Sequence, residues 1–320
     1  MCGIVGLHLK TEALQSRLGE LVYPMMDCMA SRGQDSSGLV IFSDPVAAGK
    51  SRYSIRVSDE GLSQDEIRKI VNDIKSDLAI SLSTDVEIER NRPDGAVFVT
   101  TDDATAVETE LMTRYPNATL VGHGKSMEIL KDVGAPADVC NRFEVRDRTG
   151  YQAIGHTRMA TESAVTIEHS HPFAPNSDLA VVHNGTFSNP FMVRRQLAEE
   201  GIFTVTDNDT EVAARLIGLE LARGGDMAQA LSTVGKVMDG FYTLLVGTAD
   251  EFAVVRDSFG CKPLVVAETD DYVAVASEYV AMVDLPNIED AHVFEPKPEE
   301  LYIWKSSQSA SDKPLVTTLS

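Results

Sequence analysis

The chain opens Met1-Cys2-Gly3-Ile4-Val5-Gly6, and this stretch constrains the fold more than any later one. Ile4 and Val5, followed by Leu7 and Leu9, read as the start of a buried strand that fixes Cys2 at its tip. Removal of Met1, which the small side chain of Cys2 permits, leaves residue 2 with both a thiol and a free α-amine. That amine has a reference pKa of roughly 7.7–8.0, close enough to neutral to take the thiol's proton. A nucleophile served by its own amine is a variant of the nucleophile–base pair. The same residues also fit a chance cysteine ahead of an ordinary edge strand, so the rest of the chain has to decide.

With 320 residues, the chain has enough length to bury one large core or two modest ones. Lys and Arg number 28 against 49 Asp and Glu, a net charge of −21. Such a chain is repelled by the phosphates of nucleic acid and of anionic membranes, so neither is an expected partner. No apolar run is long enough to span a bilayer, and residues 1–10 lack the charged start of a signal peptide. The four cysteines, Cys2, Cys28, Cys140 and Cys261, form no C-x-x-C pair. They fit one nucleophile candidate and buried thiols in a reducing cytosol, so the expected location is cytoplasmic.

Residues 14–30 carry helical spacing through Leu14, Leu18, Leu21, Met25 and Met29, interrupted by Pro24. The polar loop Ser31-Arg32-Gly33-Gln34-Asp35-Ser36-Ser37-Gly38 then feeds a strand over 39–42. From about 50 to 149 the texture changes. Ser63-Gln64-Asp65-Glu66 is a capping box opening a helix with Ile67, Ile70, Val71, Ile74 and Leu78 on one face. A strand over 96–100, a helix over 104–115 and a strand over 119–121 give a β-α-β rhythm, hence an expected α/β insertion. Gly122-His123-Gly124-Lys125-Ser126 is no phosphate loop, because Thr119 stands where the pattern needs its first glycine. Ser126-Met127-Glu128 is expected to open a short helix instead.

The densest chemistry follows residue 151. Gly155-His156-Thr157-Arg158-Met159-Ala160-Thr161 gathers a His, an Arg and two hydroxyls at a strand end. His169 and His171 come next, then a strand over 179–182 ending in His183-Asn184-Gly185-Thr186. The histidine spacings match no zinc pattern and no cysteine accompanies them, so no metal is expected. Asn184 and the N–H of Gly185 make a compact donor pair of the kind an oxyanion needs, though an Asn-Gly turn has the same sequence. Asp207-Asn208-Asp209-Thr210-Glu211 caps a helix carrying Val212, Leu216 and Leu219. Strands over 241–247, 252–255, 274–276 and 301–304, a helix over 278–284 and a polar tail over 306–320 complete the chain.

Taken in order, Cys-Gly-Ile-Val-Gly, Arg-Gly-Gln-Asp-Ser-Ser-Gly, Gly-His-Thr-Arg-Met-Ala-Thr, His-Pro-Phe, His-Asn-Gly-Thr, Asn-Asp-Thr-Glu, Arg-Asp-Ser-Phe-Gly-Cys-Lys-Pro-Leu and Ala-Ser-Glu resemble the class II glutamine amidotransferases. The match covers residues 1–42 and roughly 150–285. In finer detail the chain looks most like the stand-alone amidotransferase subunit of glutamate-synthase-like enzymes, of which N-methylglutamate synthase is the best-known member. The resemblance implies an α+β fold, the four-layer αββα sandwich of N-terminal-nucleophile hydrolases, over residues 1–305 with the insertion at 50–149. It implies that Cys2 attacks the glutamine side-chain amide, giving a γ-glutamyl thioester and ammonia. Asn184 and Gly185 would hold the oxyanion, Arg158 the substrate α-carboxylate and Asp209 its α-ammonium. Arg32 would shape the pocket, and Thr161 and His171 would line it.

Two kinds of function follow: an active glutaminase subunit feeding a synthase partner, or a catalytically quiet scaffold that only binds glutamate, glutamine or its partner. Cys2, Arg158, Asn184, Gly185 and Asp209 occurring together favour the first. Only about 35 residues follow the last motif, too few for an acceptor-binding domain, and no flavin loop or iron–sulfur cysteine cluster is present. No cofactor is therefore expected in this chain, whereas FMN and an iron–sulfur cluster are expected in a glutamate-synthase-like partner within a hetero-oligomer. Methylamine replaces ammonia there if the enzyme is an N-methylglutamate synthase. The insertion is the candidate docking element, or equally a surface elaboration that makes no contact with the partner.

Overall fold

The computed structural model describes residues 2–58, 61–160, 164–306 and 313–319. Two antiparallel sheets stack face to face. The first joins β1 (Gly3–Leu9), β2 (Ser36–Phe42), β7 (Met127–Val133), β8 (Gln152–Arg158), β12 (Val265–Glu268), β13 (Tyr272–Ala276) and β14 (His292–Phe294). Their order is β14-β12-β13-β1-β8-β2-β7, which puts β1 near the middle. The second joins β9 (Ala180–Phe187), β10 (Gly240–Gly247), β11 (Glu251–Arg256), β15 (Glu300–Lys305) and β16 (Leu315–Thr318), in the order β16-β15-β11-β10-β9.

Strand alternation assigns the layers. Along β1, Val5, Leu7 and Leu9 pack with α1 (Leu18–Cys28) and α4 (Pro136–Arg142), through Met25, Met26, Val139 and Phe143. Ile4 faces the other way and joins Val40, Ile154, Val182, Leu245 and Phe252 between the sheets. On the far side, Val181, Leu244 and Val255 pack with α6 (Asp209–Ala222) and α7 (Met227–Val237), and α5 (Pro190–Glu199) adds Val193 and Leu197. The result is helix, sheet, sheet, helix: the expected four-layer α+β sandwich.

The inserted unit is a separate sheet of β3 (Lys50–Val57), β4 (Glu87–Arg92), β5 (Gly95–Thr101) and β6 (Ala118–Gly124), covered by α2 (Gln64–Ser81) and α3 (Ala104–Arg114). Ser63 caps α2 with the full reciprocal box, and Ile67, Val71, Ile74 and Leu78 bury against Tyr53, Ile55 and Phe98. The β-α-β rhythm is present as β5-α3-β6, but the two strands are not neighbours: β3 lies between them and pairs antiparallel with both.

Four further expectations change. Residues 127–133 form β7 and no helix: pairing with β2 and the alternation of Met127 and Ile129 against Leu130 override a helix-friendly composition. The separate sheet accordingly ends at Gly124, and residues 127–149 belong to the body. The helix over 14–30 is divided into a 3₁₀ turn, Glu12–Arg17, followed by α1, and Pro24 lies inside α1 without ending it. The helix over 278–284 is a single 3₁₀ turn, Tyr279–Met282, and part of the polar tail pairs with β15 as β16.

Candidate active site

β1 and β8 run antiparallel with Gly3 opposite Thr157, so Cys2 and Arg158 emerge side by side at the same end of the first sheet. Two donors clamp the Cys2 carbonyl: Arg32 Nε at 2.9 Å and Asn184 Nδ2 at 3.2 Å. The same Arg32 donates to Glu278 Oε1 at 2.6 Å and is buried, whereas Cys2 is partly exposed with its Sγ 3.8 Å from the Met159 carbonyl. Backbone is thus held while the thiol stays accessible. The loop after β8 is fixed from the other side. Asp35 accepts from the Ala160 N–H at 2.7 Å and donates its own N–H to the Arg158 carbonyl. Gly33 lies so close beneath that a Cβ there would collide with Arg158 backbone. Arg158 Nη1 in turn donates to the Ala164 carbonyl at 2.8 Å.

The second sheet supplies the opposite wall. β9 carries His183, Asn184 and Gly185, and Gly185 has φ +152°, with Phe241 carbonyl oxygen where a Cβ would stand. Only glycine fits there. Asp209 occupies the first turn of α6, whose N-cap is Asn208. It accepts from the Phe187 N–H at 2.9 Å and from the Thr210 hydroxyl at 3.2 Å. Burial penalises its charge, but His183, the Phe187 N–H and the Thr210 hydroxyl outweigh that and hold its pKa below the usual carboxylate value. The helix N-terminus favours a carboxylate at the same place.

Beneath this wall lies a buried cluster. His171 Nε2 and His183 Nδ1 each sit 2.9 Å from the Thr210 hydroxyl oxygen. With that hydroxyl donating to Asp209, both imidazole nitrogens act as donors to its oxygen. His156 stacks on His171 at 4.0 Å and donates from Nε2 to the His183 carbonyl, tying the two sheets together. Burial lowers the His156 pKa to about 3 and holds His171 well below its ordinary value. Among the described residues no group of His, Cys, Asp and Glu is arranged to hold a metal ion.

Cys2, Arg158, His171, Gly185 and Asp209 all line one pocket of about 220 Å³, together with His183, Phe187, Phe191 and Thr210. Larger cavities exist. One of about 880 Å³ is bordered by Lys10, at the opposite end of β1. Cys2 borders the smaller pocket and not this larger one.

A glutamine amidotransferase domain model matches residues 156–284. The chain is 43% identical over 310 residues to the glutamine amidotransferase-like protein GlxB of Rhizobium meliloti (strain 1021), covering 97% of this chain and 100% of that one. The chain belongs to the glutamine amidotransferases. An amidophosphoribosyltransferase of Methanocaldococcus jannaschii is 30% identical over 197 residues, which cover 59% of this amidotransferase and 42% of that protein. Among solved structures, the glutamine phosphoribosylpyrophosphate amidotransferase of B. subtilis superposes on it with a TM-score of 0.61 at 20% identity. The match takes in 100% of this chain and 49% of that one, so the amidotransferase spans about half the solved chain's length. The shared fold is that of the N-terminal-nucleophile hydrolases.

In this amidotransferase the residues singled out from sequence fall into two groups. Five reach the pocket itself; Arg32 and Asn184 meet it through the Cys2 carbonyl. Thr161 lies outside the described residues. Thr210 and Glu278 carry bonds that the sequence reading did not assign. Both stand inside quoted motifs, Asn-Asp-Thr-Glu and Ala-Ser-Glu, so the signal was present but had no chemistry attached. Pro190 and Phe191 on α5 were not anticipated at all. No membrane-crossing helix is found: none among the described residues is long and apolar enough.

Proposed function

We propose that the chain hydrolyses L-glutamine at Cys2 and hands ammonia to a synthase partner. One observation carries this reading: a partly exposed Cys2 thiol opens into a small pocket that also presents a guanidinium and a carboxylate, Arg158 and Asp209. An α-amino acid has the complementary pair of charges. Arg158 takes the α-carboxylate through its planar donors, and Asp209, held ionised, takes the α-ammonium.

With Met1 removed, the α-amine of Cys2 accepts the thiol proton and Sγ attacks the side-chain amide carbon. The carbonyl oxygen becomes an oxyanion, and the donors we propose for it are the second N–H of the Asn184 amide and the Gly185 N–H. The amine returns its proton to the departing nitrogen, ammonia leaves, and a γ-glutamyl thioester remains. Water then attacks the thioester, releasing glutamate and restoring the thiol. Arg32 fixes the Cys2 backbone, and His171 closes the floor. Ammonia release from glutamine by the purified chain tests the reading. The quiet-scaffold alternative holds if the chain binds glutamine or glutamate and releases no ammonia, alone or with its partner.

The partner we propose is a glutamate-synthase-like subunit with FMN and an iron–sulfur cluster, forming a hetero-oligomer with this chain. In the narrower reading the pair is an N-methylglutamate synthase that converts methylamine and L-glutamate to N-methyl-L-glutamate and ammonia. Support comes from the motif resemblance and from exposed Met159 and Phe191, which line the pocket, with exposed Phe241 opposite Thr186 and packed on exposed Phe259. Exposed apolar groups gathered at a reactive site mark a surface for another protein. Co-purification from the native source, followed by identification of the other subunits, tests this part.

A further inference from the structure

A second cavity, of about 340 Å³, lies in the seam between the inserted sheet and the body. Its size falls in the range of roughly 300–1,000 Å³ typical of small-molecule sites. The walls are largely apolar, with Leu111 and Leu120 from the insertion facing Phe173 and Pro175 from the body. Lys131 on β7 also lines it, and its side chain is almost wholly buried. Its ammonium donates to the Ser170 carbonyl at 2.8 Å and weakly to the Pro172 carbonyl at 3.4 Å, and it sits 5.3 Å from the Phe173 ring centroid.

Among the described residues Lys131 has no ion-pair partner. The carboxylate of Glu211, which also borders the cavity, is committed to Arg215 and to the N–H groups of Val205 and Thr206. The hydrogen bonds of Lys131 go only to neutral carbonyls, and the Glu168 and Glu211 carboxylates, which also border the cavity, face it without forming an ion pair. A buried ammonium so placed is stabilised further when a closer counter-charge arrives. Burial lowers its pKa to about 8, so it still carries its proton at neutral pH. Arg56, Glu108 and Arg215 border the cavity too, but Lys131 is the buried cation that contacts Phe173 of the apolar wall, and an anion with an apolar body fits that pairing.

We infer that this seam cavity binds a small monocarboxylate with an apolar body, its carboxylate paired with Lys131 and its chain against Leu111, Leu120 and Phe173. The site is distinct from the Cys2 pocket. It adjoins it, however, because the carbonyls that hold Lys131 flank His171, which lines the glutamine pocket. Binding is read without any activity, so its outcome is independent of the glutaminase reading.

Isothermal titration of the full chain with hexanoate, hexan-1-ol and hexylamine at neutral pH decides. Hexanoate should bind saturably and at least about tenfold more tightly than the alcohol, because only its carboxylate can make a charge-assisted bond to Lys131. Hexylamine should bind no better than the alcohol. Lys131→Met, which keeps the length and apolar stem, should abolish the preference for the acid. Thr119→Trp alters an exposed residue at the cavity wall and should weaken hexanoate and hexanol alike, which keeps the test available if Lys131→Met does not fold. Equal binding of acid and alcohol by the native chain would overturn the site. So would a preference that survives Lys131→Met, or hexanoate binding untouched by Thr119→Trp.

Discussion

The Cys2 pocket and the inserted sheet are held together in opposite ways. The pocket draws Cys2, Arg32, Arg158, Asn184, Asp209 and Glu278 from widely separated parts of the chain and joins them by polar bonds across two sheets. The insertion is nearly local: β3 to β6 and their two helices close one apolar cluster of their own. The polar bonds of the pocket set the positions of the reacting groups, whereas apolar packing loses stability in proportion to the volume removed. Damage to the first region should therefore appear in chemistry, and damage to the second in stability.

The largest effect expected is at Cys2. Cys2→Ala should abolish ammonia release from glutamine. The fold should stay intact, because the thiol makes only a long contact with the Met159 carbonyl. Fluorescence of Trp304, the chain's one tryptophan and buried between the sheets, reports the body directly. If its melting temperature fell sharply, the division between chemistry and stability would not hold. The converse experiment is Phe98→Ala in the insertion, expected to cost about 3–5 kcal/mol of stability. Ammonia release below the melting range should be unchanged, and a matching loss of turnover would break the comparison.

Asn184→Ala should lower turnover by on the order of 10²–10³, the cost of one lost oxyanion donor. If only the half-saturating glutamine concentration rose, Asn184 would be a clamp on the Cys2 carbonyl and nothing more.

The smallest effect is a pH dependence of the body. His8, packed between the sheets against Phe252 and hydrogen-bonded to Gln152, has its pKa lowered to about 4 by burial. The unfolded chain therefore binds more protons than the folded one as pH drops below about 6.5, and stability falls with pH in that window. His156, lowered to about 3, acts in the same direction. His8→Gln should shrink the difference in urea stability between pH 7 and pH 4.5 by about 2 kcal/mol. An unchanged difference would show that His8 is not neutral in the fold.

The same contrast explains what could be read from the sequence. Pocket residues sit in short strings whose chemistry is local, such as His183-Asn184-Gly185-Thr186 and the Asn208-Asp209-Thr210-Glu211 helix start, so the strings were visible without the fold. The sandwich followed from the resemblance those strings carry. Strands were harder. β4 places Glu87, Glu89, Arg90 and Asn91 on an exposed edge with little alternation, and β7 is a strand only because β2 lies beside it. Lys131 illustrates the limit. Its burial is a property of the seam between two separately built regions, and nothing adjacent to it in sequence announces that.

The role proposed for Cys2 is that of an N-terminal nucleophile. Intact-protein mass spectrometry of an active preparation, acid-quenched during turnover with glutamine, tests it most directly. The expected result is a chain lacking Met1 and carrying one γ-glutamyl group on Cys2, absent from Cys2→Ala. An active chain that retains Met1, or one labelled at another residue, would contradict the account.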